Sequence, residues 1–319
     1  MTRRTIAVTV IAIPVLVIAL LAAMIVFGTA APPRVTAPSV QSDPGALPPL
    51  ETLPARDGTP LAYRAYPAAG NRLAILVHGS AGTSMHAVAK ALQAAGVGSY
   101  ALDVRGHGGT GTAGDIAYVG QLDDDLADFA SQIRRRHPAA KVALAGFSSG
   151  GGFVLRVAGS ANGGLFDSYA LISPYLGHRA PTQRPDAAEW ITPFVPRLIA
   201  LAVLERIGVH AFEGLPVVAL AMVPGKDGAA NATYSYRLAK NFTPSEDYRG
   251  DFRRATKPIA VVVGGADEVF FADRFAPEIH AVRPDITVLV VPGLGHFDMT
   301  TTAAGALAVS EAIVQGLAL

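Results

Sequence analysis

One serine, one acid and one histidine in this chain have the types and order that nucleophilic acyl transfer needs. Gly146-Phe147-Ser148-Ser149-Gly150 fits G-x-S-x-G with Ser148 at its centre; Ser149 does not fit, because Phe147 stands two residues before it. The pentapeptide follows the predicted strand Lys141–Ala145 and opens a helix, the setting in which a strained strand-to-helix turn holds a serine oxygen out for attack. Glycines flank the turn because side chains there would collide with neighbouring backbone. By itself the pentapeptide also suits a plain Gly-rich turn, so what accompanies it matters.

An acid and a base follow in the order Ser, Asp, His. Asp267 lies in Val263-Gly264-Gly265-Ala266-Asp267-Glu268, directly after the run Ile259–Val263. That position is the carboxyl end of a parallel strand, where crevices of open α/β sheets lie. Asp267 could cap the next helix at the same time, and Glu268 and Asp273 are weaker substitutes as the acid. His296, in Val291-Pro292-Gly293-Leu294-Gly295-His296-Phe297, follows the last strand. As the base it takes the Ser148 proton, while Asp267 fixes its tautomer and stabilises the imidazolium. His78-Gly79-Ser80-Ala81-Gly82 follows the first central apolar run. It is expected to supply one of two oxyanion donors, from the N–H of Ser80 or Ala81, the other being the Ser149 N–H. His78 itself reads as a structural hydrogen bonder. This chemistry needs no metal or organic cofactor, and no His/Asp cluster has metal-ligand spacing.

These residues resemble the α/β-hydrolase superfamily, and within it the serine aminopeptidase S33-like, or monoacylglycerol lipase/lysophospholipase-like, branch. The similarity spans about residues 57–317. Asp103-Val104-Arg105-Gly106-His107-Gly108-Gly109-Thr110-Gly111 looks like that branch's D-x-R-G-H-G-x-S-x-G loop, with Thr110 where serine is usual. The resemblance implies a catalytic triad borne by Ser148, Asp267 and His296. It gives Asp103, Arg105 and His107 a structural part in the site wall.

The elements that must position these groups alternate. Leu61–Tyr66, Leu73–Val77, Val97–Leu102, Lys141–Ala145, Tyr169–Ser173, Ile259–Val263 and Ile286–Val291 read as strands. Met85–Ala95 (with Ser84 as N-cap), Leu122–Arg136, Phe153–Ala158, Phe270–Val282 and Ala303–Leu317 read as helices. This pattern predicts an α/β fold with a mostly parallel sheet and helices on both faces. The hydrolase core is then residues 57–177 and 257–319. Residues 178–256 are too long for one crossover and are expected to form a helical cap, with apolar stretches at Trp190–Phe194, Leu198–Ile207 and Leu215–Val223. Its aromatic residues Phe212, Tyr234, Tyr236 and Tyr248 read as packing.

The 319 residues carry 26 Lys+Arg, 25 Asp+Glu and no Cys, and 16% are charged. The near-zero balance, without a basic run, excludes electrostatic nucleic-acid binding. Zero Cys excludes disulfides, thiolate zinc and cysteine nucleophiles. Ile6–Gly28 gives 23 residues of which only Thr9, Pro14 and Gly28 are not hydrophobic, preceded by Arg3 and Arg4. Residues 1–28 are thus expected to be a single-pass transmembrane anchor with the catalytic domain outside the cytoplasm. A signal peptide cleaved near Gly28-Thr29-Ala30, giving a secreted enzyme, is the alternative. Residues 29–56 read as a Pro-rich linker. Two sequons begin at Asn231 and Asn241.

The expected activity is hydrolysis of small apolar or lipid-like carboxylic esters, monoacylglycerol- or lysophospholipid-like, through an acyl-enzyme. An S33-type peptidase or amidase is the alternative and needs an acidic cap group, for which Glu189, Glu205 and Glu213 are present. A perhydrolase would use the same triad. Ser148 argues against epoxide and haloalkane hydrolases, whose nucleophile is Asp. From a different class, a non-catalytic membrane-tethered binding module would keep the fold without the chemistry.

Overall fold

A computed structural model describes residues 3–31, 33, 47–80, 82, 85–185, 190–221 and 233–319, with side chains of the first helix described from Ile13 onward. The core is an eight-stranded sheet of β1 (Leu50–Pro54), β2 (Pro60–Tyr66), β3 (Arg72–Val77), β4 (Gly98–Leu102), β5 (Lys141–Phe147), β6 (Ser168–Ile172), β10 (Ile259–Gly264) and β11 (Thr287–Val291). Its order is β1-β2-β4-β3-β5-β6-β10-β11; β2 runs antiparallel to both its neighbours, β1 and β4, and from β4 onward all neighbours are parallel. Leu73–Val77 of β3 are all buried, as an uninterrupted apolar run must be when both sheet faces are covered.

Helices α2 (His86–Ala94), α3 (Gln121–Arg136), α4 (Ser149–Ala158) and α10 (Ala303–Ala318), the last preceded by the one-turn α9 (Asp298–Thr301), cover the sheet. The order steps one way from β3 to β4 and the other from β4 to β5, so right-handed crossovers put α2 and α3 on opposite faces. Strand order reverses between β3 and β5, and the crevice beyond their carboxyl ends is where a site belongs. In α3, Leu122, Leu126, Phe129 and Ile133 line the buried face, with Asp123 and Asp124 in the first turn and Arg134–Arg136 in the last. These charges complement the helix dipole.

The cap holds β7 (Ile191–Pro193), α5 (Val195–Arg206), β8 (Pro216–Leu220), β9 (Thr233–Ser235), α6 (Tyr236–Asn241) and α7 (Tyr248–Arg254). It is therefore not purely helical as expected: β7, β8 and β9 form an antiparallel sheet. The apolar stretch after Leu215 is rich in valine, and its β-branched side chains favour a strand. A second correction concerns the linker, whose last residues 50–54 form β1 against β2. The surrounding prolines hid it, yet an edge strand tolerates them. The helix expected over 270–282 shrinks to α8 (Phe275–His280), because residues 267–271 fold back beneath Asp267. α2 starts after Met85, which makes no side-chain cap bond, and Ser84 lies outside the described residues.

The amino-terminal segment forms α1 (Arg3–Phe27), with Pro14 inside. The expected span 6–28 falls partly outside the described side chains; among the described residues, no helix is long and apolar enough to cross a membrane. The carboxyl end of α1 rests on the cap. Arg197 of α5 donates from Nε to the Ile25 carbonyl at 2.7 Å and from Nη1 to the Pro216 carbonyl at 2.9 Å. Gly28 is required there, since a Cβ would lie 2.8 Å from the Arg197 backbone nitrogen. The second sequon is consumed by packing: Asn241 is buried, and its Oδ1 accepts from the N–H of Gly120 and Leu122 at the head of α3. Asn231 lies outside the described residues.

Candidate active site

Ser148 occupies the turn between β5 and α4 with φ 54°, a conformation that L side chains seldom adopt. Its neighbours enforce the turn. The Ser148 N–H donates to the Ile172 carbonyl at 2.9 Å, and its carbonyl accepts from Tyr175 N–H at 2.9 Å. A Cβ on Gly150 would sit 2.2 Å from the His78 carbonyl oxygen, and one on Gly146 would sit 2.3 Å from the Gly150 carbonyl oxygen. Only glycine fits either place.

Asp267 follows β10 and His296 follows β11, and the two loops are laced together. Gly265 N–H donates to Val291 O at 2.7 Å, and Ala266 N–H to Leu294 O at 2.9 Å. His296 Nδ1 lies 2.9 Å from Asp267 Oδ2, and Nε2 lies 3.1 Å from Ser148 Oγ. With Asp267 ionised, the ring proton sits on Nδ1 and leaves Nε2 to accept from the serine. Asp267 Oδ1 accepts from the N–H groups of Val269 and Phe270, each at 2.8 Å. Burial pushes the Asp267 carboxyl upward, but its bonds to His296 and to backbone outweigh that and hold it below the usual carboxylate range. The rings of Phe147, Phe270 and Phe297 enclose the imidazole at centroid distances of 4.7, 5.1 and 5.3 Å.

The acid substitutes go elsewhere. Glu268 Oε2 accepts the His296 backbone N–H at 2.8 Å, which fixes the histidine loop rather than the ring. Asp273 is exposed.

Both described donor candidates flank Ser148. Ser149 is the first residue of α4, so its N–H has no acceptor within the helix. Gly79 lies over Ser148, where an added Cβ would be 3.1 Å from the Ser148 Cβ. His78 Nε2 accepts from Val104 N–H at 3.1 Å, so its proton is on Nδ1, which donates to the Gly79 carbonyl at 2.7 Å. In a trans peptide that carbonyl fixes the opposite direction for the Ser80 N–H. The Ser80 and Ser149 hydroxyls hydrogen-bond each other and tie the two donor segments together. Ala81 lies outside the described residues.

The 103–111 loop is scaffold. Arg105 makes a two-pronged buried pair with Asp125, both contacts at 2.7 Å, and Asp103 Oδ2 accepts from Gly109 N–H. Thr110 Oγ1 accepts from Ala62 N–H at 2.8 Å, a bond that needs a hydroxyl and no particular one. His107 packs on His78 at 4.7 Å between centroids, and its Nε2 lies 2.6 Å from the Tyr234 hydroxyl. Tyr234 was legible only as cap packing, yet its hydroxyl donates to the Ser80 carbonyl at 2.5 Å. No local pattern could signal a contact across 154 residues.

A mostly parallel sheet with this serine turn, acid and histidine after successive strands defines an α/β-hydrolase. The model of the family described as "Serine aminopeptidase, S33" matches residues 70–297, and the chain belongs to that family. It is a serine hydrolase. Similar solved structures include a soluble variant of monoglyceride lipase from Saccharomyces cerevisiae in complex with a substrate analogue (TM-score 0.60, 17% identity, covering 88% of this chain and 98% of that one). Another is the monoacylglycerol lipase of Paleococcus ferrophilus (0.57, 21%, 80% and 99%). A third is an N-formylmaleamic acid deformylase from Pseudomonas putida (0.56, 19%, 82% and 99%). At these identities the likeness speaks for the fold. No curated protein matches the chain.

Proposed function

We propose that the protein hydrolyses carboxylic esters of apolar, lipid-like acyl chains, with Ser148 as nucleophile, His296 as base and Asp267 as its orienting acid. The carrying observation is the chain of contacts from Asp267 Oδ2 through His296 to Ser148 Oγ, 2.9 and 3.1 Å long. His296 takes the hydroxyl proton as Ser148 Oγ attacks the ester carbonyl. The N–H groups of Ser149 and Ser80 receive the oxyanion, His296 then protonates the leaving alcohol, and water releases the acid from the acyl-enzyme. Ser148→Ala should lose p-nitrophenyl ester turnover and fluorophosphonate labelling while melting like the parent. Turnover retained in that variant would refute the assignment.

Apolar surroundings favour an ester with a hydrocarbon acyl group. Trp190 of the cap packs on Phe297, which itself touches the His296 ring. Octanoate esters should therefore be preferred to acetate esters, and the reverse order would count against a lipid-like substrate. Two of the three glutamates named for a peptidase's amine site are already engaged. Glu205 pairs with Lys240 and Tyr236, and Glu213 with His210. Glu189 lies outside the described residues.

We also propose that the enzyme is held at a membrane through residues 6–28, with the catalytic domain outside the cytoplasm. Exposed Val195, Ile199 and Val203 form one stripe of α5, which the exposed Ile207 just after it extends, and α1 rests on this helix; these residues support the placement. Full-length protein should stay in the membrane pellet after carbonate washing and be open to protease from the outer side only. Release into the soluble fraction with residues 1–28 absent would favour the cleaved, secreted form.

A further inference from the structure

Tyr234 belongs to the cap, but its hydroxyl ends inside the catalytic core. It donates to the Ser80 carbonyl, which has no proton to give back. It must therefore accept from His107, whose Nε2 stands 2.6 Å away. Burial, with the neighbouring His78, holds His107 well below the usual histidine range, so the ring is neutral, and its single proton serves the 2.6 Å contact with Tyr234 rather than the 3.4 Å one between Nδ1 and the Arg105 carbonyl. The backbone repeats the link. Ser235 N–H donates to Gly114 O at 2.9 Å, and Gly114 N–H to Gly106 O at 2.8 Å. A Cβ on Gly114 would lie 2.1 Å from the Thr233 carbonyl oxygen. The cap strand and the loop bearing His107 thus form one packed unit.

Ser80 is consequently held at three points. His78 fixes the carbonyl of Gly79 before it, Ser149 binds its side chain, and Tyr234 binds its own carbonyl. Only the last hold comes from the cap. We propose that Tyr234 is a positioning residue of the oxyanion hole, so that the cap governs the chemical step as well as the choice of acyl chain. This rests on the acyl-transfer reading above. Without the hydroxyl, the Ser80 carbonyl loses its partner, while the His107 proton can move to Nδ1 and the Arg105 carbonyl, so the Ser80 segment turns to find another donor. The Ser80 N–H then leaves the place where oxyanion charge develops. An interaction realised mainly in the transition state affects kcat and leaves KM nearly unchanged.

The test is Tyr234→Phe, which keeps the ring. Losing a whole oxyanion donor costs about 100- to 1000-fold in kcat, and displacing one should cost about 10- to 100-fold. That factor should be equal for acetate and octanoate p-nitrophenyl esters, with KM within about twofold. The affinity for an alkylboronic acid, whose serine adduct puts an oxygen in the hole, should weaken by the same factor. If Tyr234 only packs the cap, KM for octanoate will rise while acetate kcat and boronate affinity stay at parent values, and the proposal is overturned. Should that variant fail to fold, the pair His107→Gln and His107→Leu makes the same comparison. The amide retains a donor toward Tyr234 and should keep most of kcat, and the leucine should not; equal kcat in both would overturn the proposal. Ser148→Ala run alongside separates the two readings. An active Ser148→Ala sinks acyl transfer through Ser148, whereas an inactive one beside a fully active Tyr234→Phe sinks only the role of Tyr234.

Discussion

Replacing Gly150 with alanine should damage the site without touching any group that reacts. The new Cβ would stand 2.2 Å from the His78 carbonyl oxygen, 2.9 Å from Val77 Cγ1 and 3.0 Å from the Val77 carbonyl oxygen. Two of those three atoms are backbone at the end of β3, so no side-chain rotation relieves them. Reaching ordinary contact requires α4 and the end of β3 to part by about 1 Å. His78 immediately precedes Gly79 and Ser80, and Ser149 immediately precedes Gly150, so the displacement separates the two proposed oxyanion donors. A shift of that size costs about 100-fold in kcat, and overpacking costs about 1–3 kcal/mol of stability. The assay is kcat for p-nitrophenyl butyrate beside urea denaturation. Gly164→Ala serves as the control, since its Cβ meets nothing within 4 Å and should be nearly neutral. A folded Gly150→Ala with kcat within about threefold of the parent would refute the steric reasoning.

Glu268→Ala frees the His296 backbone N–H from its partner. It should lower kcat about tenfold at constant KM, and an effect on KM alone would show that the histidine loop holds itself. Arg105→Met leaves Asp125 buried without its partner and should cost about 3–5 kcal/mol in urea denaturation; adding Asp125→Leu should restore most of it. His78 and His107 are both buried, and burial depresses both below the ordinary value of 6.5. The unfolded chain takes up their protons below that pH and the folded chain does not. Stability is therefore full above about pH 6.5 and falls below it by up to ~1.4 kcal/mol per pH unit for each histidine. Denaturation at pH 7.5, 6.5 and 5.5 checks this, and equal stabilities would show that the rings protonate in place.

The centre of the sheet was legible because β3 and β10 carry continuous apolar runs, a pattern that burial on both faces imposes. The residues proposed for the triad were legible for a related reason. Gly146 and Gly150 mark a turn that forbids side chains, and the acid and histidine each follow a recognisable strand. What escaped was set by partners distant in sequence. Strand β1 exists because β2 offers it an edge, and β8 became a strand because β7 and β9 flank it. Glu268 read as a spare acid, and only the approach of the 293–296 loop gave it a backbone N–H to hold.

The order of the elements, the strained serine turn and the kinds of group available for acyl transfer were written in the chain alone, since these follow from local sterics and burial. Tertiary structure decided which of those groups meet, and that a cap tyrosine closes on the Ser80 carbonyl. Hydrogen-bond partners are selected by the register of packed elements, here across separations of 148 and 154 residues. Over such distances only the assembled fold brings donor and acceptor within 3 Å or so of each other.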